Sequence, residues 1–345
     1  MNKKIKIAIL TLSRFENNKG QGIPRYINEL YTNMNGKDYI LVEKKTLANI
    51  PFIGDAASFE LQSNFIDLSE YSIVHNPVGF NILHGHNRRY KYIITAHDLN
   101  PISKGTLSYD LWYNWFFKRG TIYNIHNADH IIADSYQTKR ELMSFGAKQE
   151  KISVVSLGVD KRFLTSHLTK KSSQNFNVGY LGAFVKNKNV IMLLKAFRYL
   201  DDNFTLDLYG KPSELYNELL SYSKSLGKRI NFRGVAPEAD IIKIYGSFDV
   251  FVYPSLYEGF GLPIIEAQSC GIPVVIYKNG KIPEEVSKYC FKAANPKHLA
   301  RIIMQLRTKG YDDTERRTAM EYARTFTWER TINETVKVYN ATLEG

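Results

Sequence analysis

Short runs rich in Val, Ile and Tyr recur along the chain, each closed by a turn signal and separated from the next by an amphipathic stretch. In the first half these runs cover Ile5–Leu10, Ile73–His75, Tyr92–Thr95, His130–Ala133 and Ile152–Ser156. In the second they cover Asn177–Leu181, Thr205–Tyr209, Asn231–Phe232, Val250–Tyr253, Pro273–Ile276 and Cys290–Lys292. Many lack clean polar alternation, which predicts strands buried on both faces of a parallel sheet. Helical patterns fill the intervals at Pro24–Met34, Gln137–Phe145, Val190–Leu200, Ser213–Leu226, Pro263–Cys270 and Pro296–Thr308. Alternation repeated this often predicts a doubly wound α/β fold.

The 345 residues suffice for two such units. The stretch 161–176 is polar, lacks apolar periodicity and reads as a linker. The expected first domain therefore runs over residues 1–165, and the second over 175–326. Ligands of such sheets bind outside the carboxyl ends of the strands, so the two edges are expected to face a common cleft.

The segment with the most chemistry is Tyr253-Pro-Ser-Leu-Tyr-Glu-Gly-Phe-Gly-Leu-Pro-Ile-Ile-Glu-Ala-Gln-Ser-Cys-Gly-Ile-Pro-Val-Val275. Its strand stops at Pro254, a loop with Gly259 and Gly261 follows, and Pro263 sits where a first helical residue belongs. Gly271 ends the helix and Pro273 opens the next strand. The result is a helix N-terminus behind a glycine loop at the carboxyl edge of a sheet, a site for phosphate or another anion. Glu258 in the loop and Glu266 one turn into the helix suit sugar and ribose hydroxyls, since each carboxylate accepts charge-assisted hydrogen bonds. The competing reading makes Glu258 a cap and Glu266 a dipole partner.

This stretch resembles the Glu-plus-seven-plus-Glu signature of the GT-B-fold retaining glycosyltransferases of glycosyltransferase family 4. The likeness runs through most of the chain. It implies two Rossmann-like domains, with the donor bound by the second and a helix over residues 327–345 packing back on the first. It further implies that Glu258 binds hydroxyls of the donor sugar and Glu266 those of the ribose. Gly259, Phe260, Gly261 and Leu262 would form the loop whose amides, at 261 and 262, approach the diphosphate.

Other segments fit the same template. Lys19-Gly-Gln-Gly-Ile-Pro-Arg-Tyr26 resembles the glycine loop of the first domain, placing Gly20 and Gly22 near phosphate. Ile93-Ile-Thr-Ala-His-Asp-Leu99 resembles the segment whose histidine, here His97, lines the cleft near the transferred sugar; Asp98 is expected to hold the loop. Gly179-Tyr-Leu-Gly-Ala-Phe-Val-Lys-Asn-Lys-Asn-Val190 departs from the pattern, because Ala183 stands where relatives carry an arginine. Lys188 matches the family lysine and Lys186 is the substitute for the arginine, although a lysine is a point charge and not a bidentate fork. Asn231-Phe-Arg-Gly-Val-Ala-Pro237 resembles the segment that reads the nucleotide base through Gly234 and Val235. Trp328, opening the last helix, is expected to pack.

The implied reaction is retaining transfer of a hexose from a UDP- or GDP-linked donor, by front-side attack assisted by the departing phosphate. No Asp-x-Asp pair or metal-spaced His/Cys cluster occurs, so neither metal nor other cofactor is expected. The acceptor is unlabelled; Leu111-Trp-Tyr-Asn-Trp-Phe-Phe-Lys-Arg119 joins aromatic bulk to basic charge and suits either a membrane interface serving a lipid-linked acceptor or a core helix.

Charge enters here. Forty-six Lys and Arg against 34 Asp and Glu give a net charge of +12, which favours anionic partners or reflects a solvated lysine-rich surface. No basic groove helix or stacking strand aromatics support a nucleic-acid reader, so no specific nucleic acid is expected. A DNA-modifying sugar transferase, a sugar-nucleotide epimerase and a non-catalytic sensor stay open as alternatives. Two cysteines predict no disulfide framework, and the first apolar run is broken by Ser13, Arg14 and Glu16, too early for a signal peptide. With no run of roughly 20 apolar residues, the expected location is cytoplasmic, free or peripheral at the membrane face.

Overall fold

The computed structural model describes residues 5–12, 22–34, 39–46, 60, 65–79, 89–99, 102, 111–165 and 175–345. These divide into two compact units, 1–158 with 328–345, and 159–327. Each unit is built on one six-stranded sheet among the described residues, and every strand pair is parallel.

In the first unit the strands are β1 (Ile5–Leu12), β2 (Tyr39–Thr46), β3 (Ile73–Asn76), β4 (Lys91–Ala96), β5 (His130–Ala133) and β6 (Ile152–Val154), in spatial order β2-β1-β3-β4-β5-β6. All of β3 is buried, as are all residues of β4 after Lys91. That explains why these strands read as continuous apolar runs. The sequence pattern misses β2, which pairs with β1 from Ile5↔Tyr39 to Leu12↔Thr46. As an edge strand it needs only one apolar neighbour, and its second half carries Glu43, Lys44 and Lys45.

The helix Trp328–Glu344 belongs to this first unit, where it packs against the helix Gly22–Met34. Two polar pairs secure it, the second fully buried. Tyr39 donates to Asn340 Oδ1 at 2.6 Å, and the Tyr339 hydroxyl lies 2.7 Å from His75 Nδ1. Trp328 is 5% exposed and does pack, with Arg25 over its ring.

The second sheet contains β7 (Phe176–Leu181), β8 (Phe204–Tyr209), β9 (Ile230–Gly234), β10 (Val250–Tyr253), β11 (Val274–Tyr277) and β12 (Phe291–Ala293), in order β12-β11-β10-β7-β8-β9. The chain runs outward from β7 through β8 to β9 and then returns to the other side of β7 at β10. The carboxyl ends of β7 and β10 are therefore neighbours at the point where strand order reverses, the place where such sheets hold ligands. Of the polar stretch after residue 160, Lys161–Thr165 forms a short helix whose Phe163 packs edge-on against Tyr245; residues 166–174 lie outside the described residues. Among the described residues, no helix is long and apolar enough to cross a membrane.

Candidate active site

The loop after β10 is held from both sides. Leu256 N–H donates to the Asn187 carbonyl at 2.8 Å, and Asn187 Nδ2 donates to the Tyr257 carbonyl at 2.9 Å. On the other side Glu258 N–H donates to the Lys281 carbonyl at 2.9 Å. Asn189 Nδ2 reaches the Pro254 carbonyl at 3.1 Å while its own backbone is left-handed, φ 50°. The turn after β7 and the loop after β10 thus form one tied body.

Gly261 ends the loop with φ 102°, a conformation that strains any residue with a Cβ. The helix Leu262–Ser269 begins directly after it without a side-chain cap. Glu258 is therefore not the cap, and Pro263 has no N–H to give. The amides at 261 and 262 stand at the open end of this helix. Gly259 and Phe260 are buried, and the Phe260 ring packs edge-on against Phe326 at 5.8 Å, so this residue offers a ligand only its backbone.

The two glutamates take different partners. Glu258 Oε1 accepts from Lys188 Nζ at 2.6 Å, and Lys188 donates a second hydrogen bond to the Tyr253 hydroxyl at 2.8 Å. Burial works against the Lys188 ammonium, but the Glu258 carboxylate and the neighbouring phenols outweigh it and hold its pKa well above the ordinary lysine value. Glu266, 7% exposed, accepts from the buried Tyr245 hydroxyl at 2.9 Å. Burial and then the Glu266 charge push the Tyr245 phenol well above its usual range, so it stays a proton donor.

The remaining donor-side expectations fall out unevenly. Lys186 is exposed and makes no ion pair among the described residues, and the Ala183 carbonyl accepts from the Tyr180 hydroxyl at 2.8 Å. Gly234 closes β9 with φ 75°, and Val235 beyond it is 56% exposed. Gly22 opens its helix with φ 57°, whereas Gly20 lies outside the described residues. Among the described residues no three His, Cys, Asp or Glu side chains converge to hold a metal ion.

In the first unit His97 Nδ1 lies 2.6 Å from Asp134 Oδ2. Strand register explains the meeting. Ala96 pairs with Ala133, so the next residue on each strand emerges beside the other. Burial lowers the imidazolium, but the charge and hydrogen bond of Asp134 overcome that and raise His97 above the ordinary histidine value, with Asp98 and the Pro77 carbonyl adding less. The ring of Tyr26 meets His97 at 5.2 Å and 81°. Tyr26 is tied through Thr95 to His75, whose pKa is pushed down to about 3 by burial and by the charge of His97, so His75 stays neutral.

Sequence reasoning passed over Asp134, Tyr245 and Tyr253 as partners. Asp134 was legible only as the tail of a strand, and its equal offset with His97 beyond paired strand ends needs the register. A test follows from it. His97 gains stability from protonation below its unfolded value, about 6.5, and loses it as pH rises through the raised folded value. Asp134→Asn should therefore bring the His97 titration below 6.5, read by NMR of the imidazole. The variant's stability deficit should be on the order of 1–2 kcal/mol below the unfolded value and shrink as pH rises through the raised folded value.

The chain is similar to known proteins in sequence and fold. The family described as Glycosyl transferases group 1 matches residues 166–326, and that described as Glycosyltransferase Family 4 matches residues 43–163. The O-antigen chain mannosyltransferase B of Escherichia coli is 33% identical over 171 residues, 46% of this chain and 44% of that protein. A D-inositol 3-phosphate glycosyltransferase of Corynebacterium glutamicum is 28% identical over 249 residues, 63% of this chain and 58% of that protein. The match thus spans less than two thirds of either relative's length. The solved structure of Anabaena HepE in complex with UDP and glucose aligns with a TM-score of 0.73 at 18% identity, over 98% of this chain and 100% of that one, a likeness of fold.

Proposed function

We propose that this chain, whose two stretches match glycosyltransferase family models at residues 43–163 and 166–326, is a glycosyltransferase that moves a hexose from a UDP- or GDP-linked donor to a hydroxyl acceptor with retention of configuration. The observation that carries this reading is the part-buried Lys188–Glu258 pair beside the helix that starts after Gly261 without a side-chain cap. It sets a cation and free amides beside a carboxylate, the chemistry needed by a diphosphate next to a sugar.

In this reading Lys188 and the amides of 261 and 262 take charge developing on the leaving diphosphate. Gly20, Gly22 and Lys186 add to that binding. Glu258 accepts from sugar hydroxyls, Glu266 from the ribose, and the backbone at Gly234 and Val235 meets the base. His97, oriented by Asp134, acts at the transferred sugar. The bond from the anomeric carbon to the phosphate oxygen breaks as the acceptor oxygen bonds to that carbon on the same face. The acceptor proton passes to the departing phosphate oxygen. No resident metal takes part, since Lys188 supplies the cation.

The acceptor is a glycan or lipid-linked hydroxyl, reached on the cytoplasmic side. A peripheral membrane contact through the helix Leu111–Asn127 would use Trp115, 57% exposed, and Lys118. The helix's apolar residues do not gather on one side, so the contact would rest on these two side chains and not on an apolar face.

The deciding experiment is thermal stabilisation by a panel of UDP-, GDP-, ADP- and dTDP-sugars. A ligand at 100 times its dissociation constant stabilises by about 2.7 kcal/mol. We expect one nucleotide class to shift the melting temperature, undiminished by EDTA and abolished by Glu266→Ala. No shift with any class would sink the reading.

A further inference from the structure

Lys188 and Glu258 lie 70 residues apart, yet their side chains, 20% and 10% exposed, hold one another at 2.6 Å. A lysine that only had to bind phosphate could stand alone, as Lys186 does among the described residues. Lys188 instead spends its hydrogen bonds on Glu258 and Tyr253, and Glu258 holds it charged.

A diphosphate that takes Lys188 must draw it away from Glu258. A carboxylate buried this deeply and stripped of its cation is costly to leave. An intact nucleotide-sugar offsets that loss in the same event. Its phosphate takes the ammonium while its sugar hydroxyls donate to the carboxylate. A free nucleoside diphosphate has nothing to offer Glu258, so it meets the cost alone.

We propose that the Lys188–Glu258 pair makes the site selective for the intact donor over its own by-product, the nucleoside diphosphate. The inference rests on reading Lys188 and Glu258 as donor-binding groups. Once the sugar has transferred, the hydroxyls that held Glu258 are gone. The pair re-forms as the diphosphate leaves, so product inhibition is weak.

Titration calorimetry with UDP, GDP, ADP and dTDP, and with their glucose or mannose conjugates, tests this. The wild type should bind the sugar conjugate of its preferred class at least about tenfold tighter than the bare diphosphate, near 1.4 kcal/mol. Glu258→Gln should bind the bare diphosphate about tenfold tighter than the wild type and the conjugate more weakly, erasing the preference. Glu258→Ala should move the same way, which guards against the glutamine oxygen still accepting from Lys188. A melting curve for each variant ties the affinities to folded protein. Unchanged or weaker diphosphate binding in both variants overturns the selectivity alone. A wild type that binds none of the ligands overturns the donor-site reading and the selectivity with it.

Discussion

Lys188→Ala should lower kcat/KM by about 10²–10³-fold, the effect of removing one preorganised group that stabilises charge in a transition state. Lys188 is the cation held against Glu258 and Tyr253 where β7 and β10 end side by side. In the proposed reading, removing it takes away the charge opposite the leaving diphosphate, and it leaves Glu258 without its cation. The second effect costs stability too, so the melting temperature must be followed alongside turnover. Lys188→Arg separates the two. It restores the charge, but a planar fork does not fit between a carboxylate and a phenol spaced for an ammonium. Partial recovery of turnover with near-normal stability is the expected outcome. A change of less than about threefold in Lys188→Ala would move the charge stabilisation to another group, with Lys186 the next to test.

Gly210→Ala should destabilise the second unit by on the order of 3 kcal/mol, a loss of roughly 6–12 °C in Tm. A Cβ at 210 would lie 2.0 Å from the Gly182 carbonyl oxygen and 3.1 Å from the Phe184 ring. The obstacle is backbone, which cannot rotate away as a side chain can. Gly210 N–H donates to the Gly234 carbonyl at 2.8 Å, and Gly182 N–H to the Tyr209 carbonyl at 2.9 Å. The ends of three strands therefore meet at this point, and a methyl group there must part them. Gly182 leads straight into the turn that carries Lys188, so folded variant protein should also bind donor poorly. Gly227→Ala is the control. It has φ +60° with open space around it and should cost only the strain of that backbone, about 1 kcal/mol. Equal losses at both positions would show that the close approach of Gly182 does not matter.

Strands buried on both faces announced themselves as apolar runs, and β3, β4, β5 and β10 were legible to within a residue or two of their ends. Elements with less to bury were not. The edge strand Tyr39–Thr46 alternates poorly, and the helix Asp313–Ala323 buries only Ala319 and Ala323. That helix still carried a readable start, since Asp312 accepts from the amides of Thr314 and Glu315. In the site, the backbone course from Tyr253 to Ser269 was legible because Pro254, Gly261 and Pro263 act on their own φ angles. The missing arginine at Ala183 was legible too, but not what surrounds the gap.

What the sequence determined by itself were features that depend on near neighbours. These are the strand–helix alternation, the glycine that opens the helix at 262, and the carboxylates seven residues apart on that turn. The tertiary structure alone decided which side chains meet. Lys188 finds Glu258 across 70 residues, His97 finds Asp134 across 37, and Tyr245 finds Glu266 across 21. The first two meetings follow from which strands lie side by side, and the third from two helices packed together. Those pairings are selected by burial summed over whole sheets, a quantity no local stretch of sequence contains.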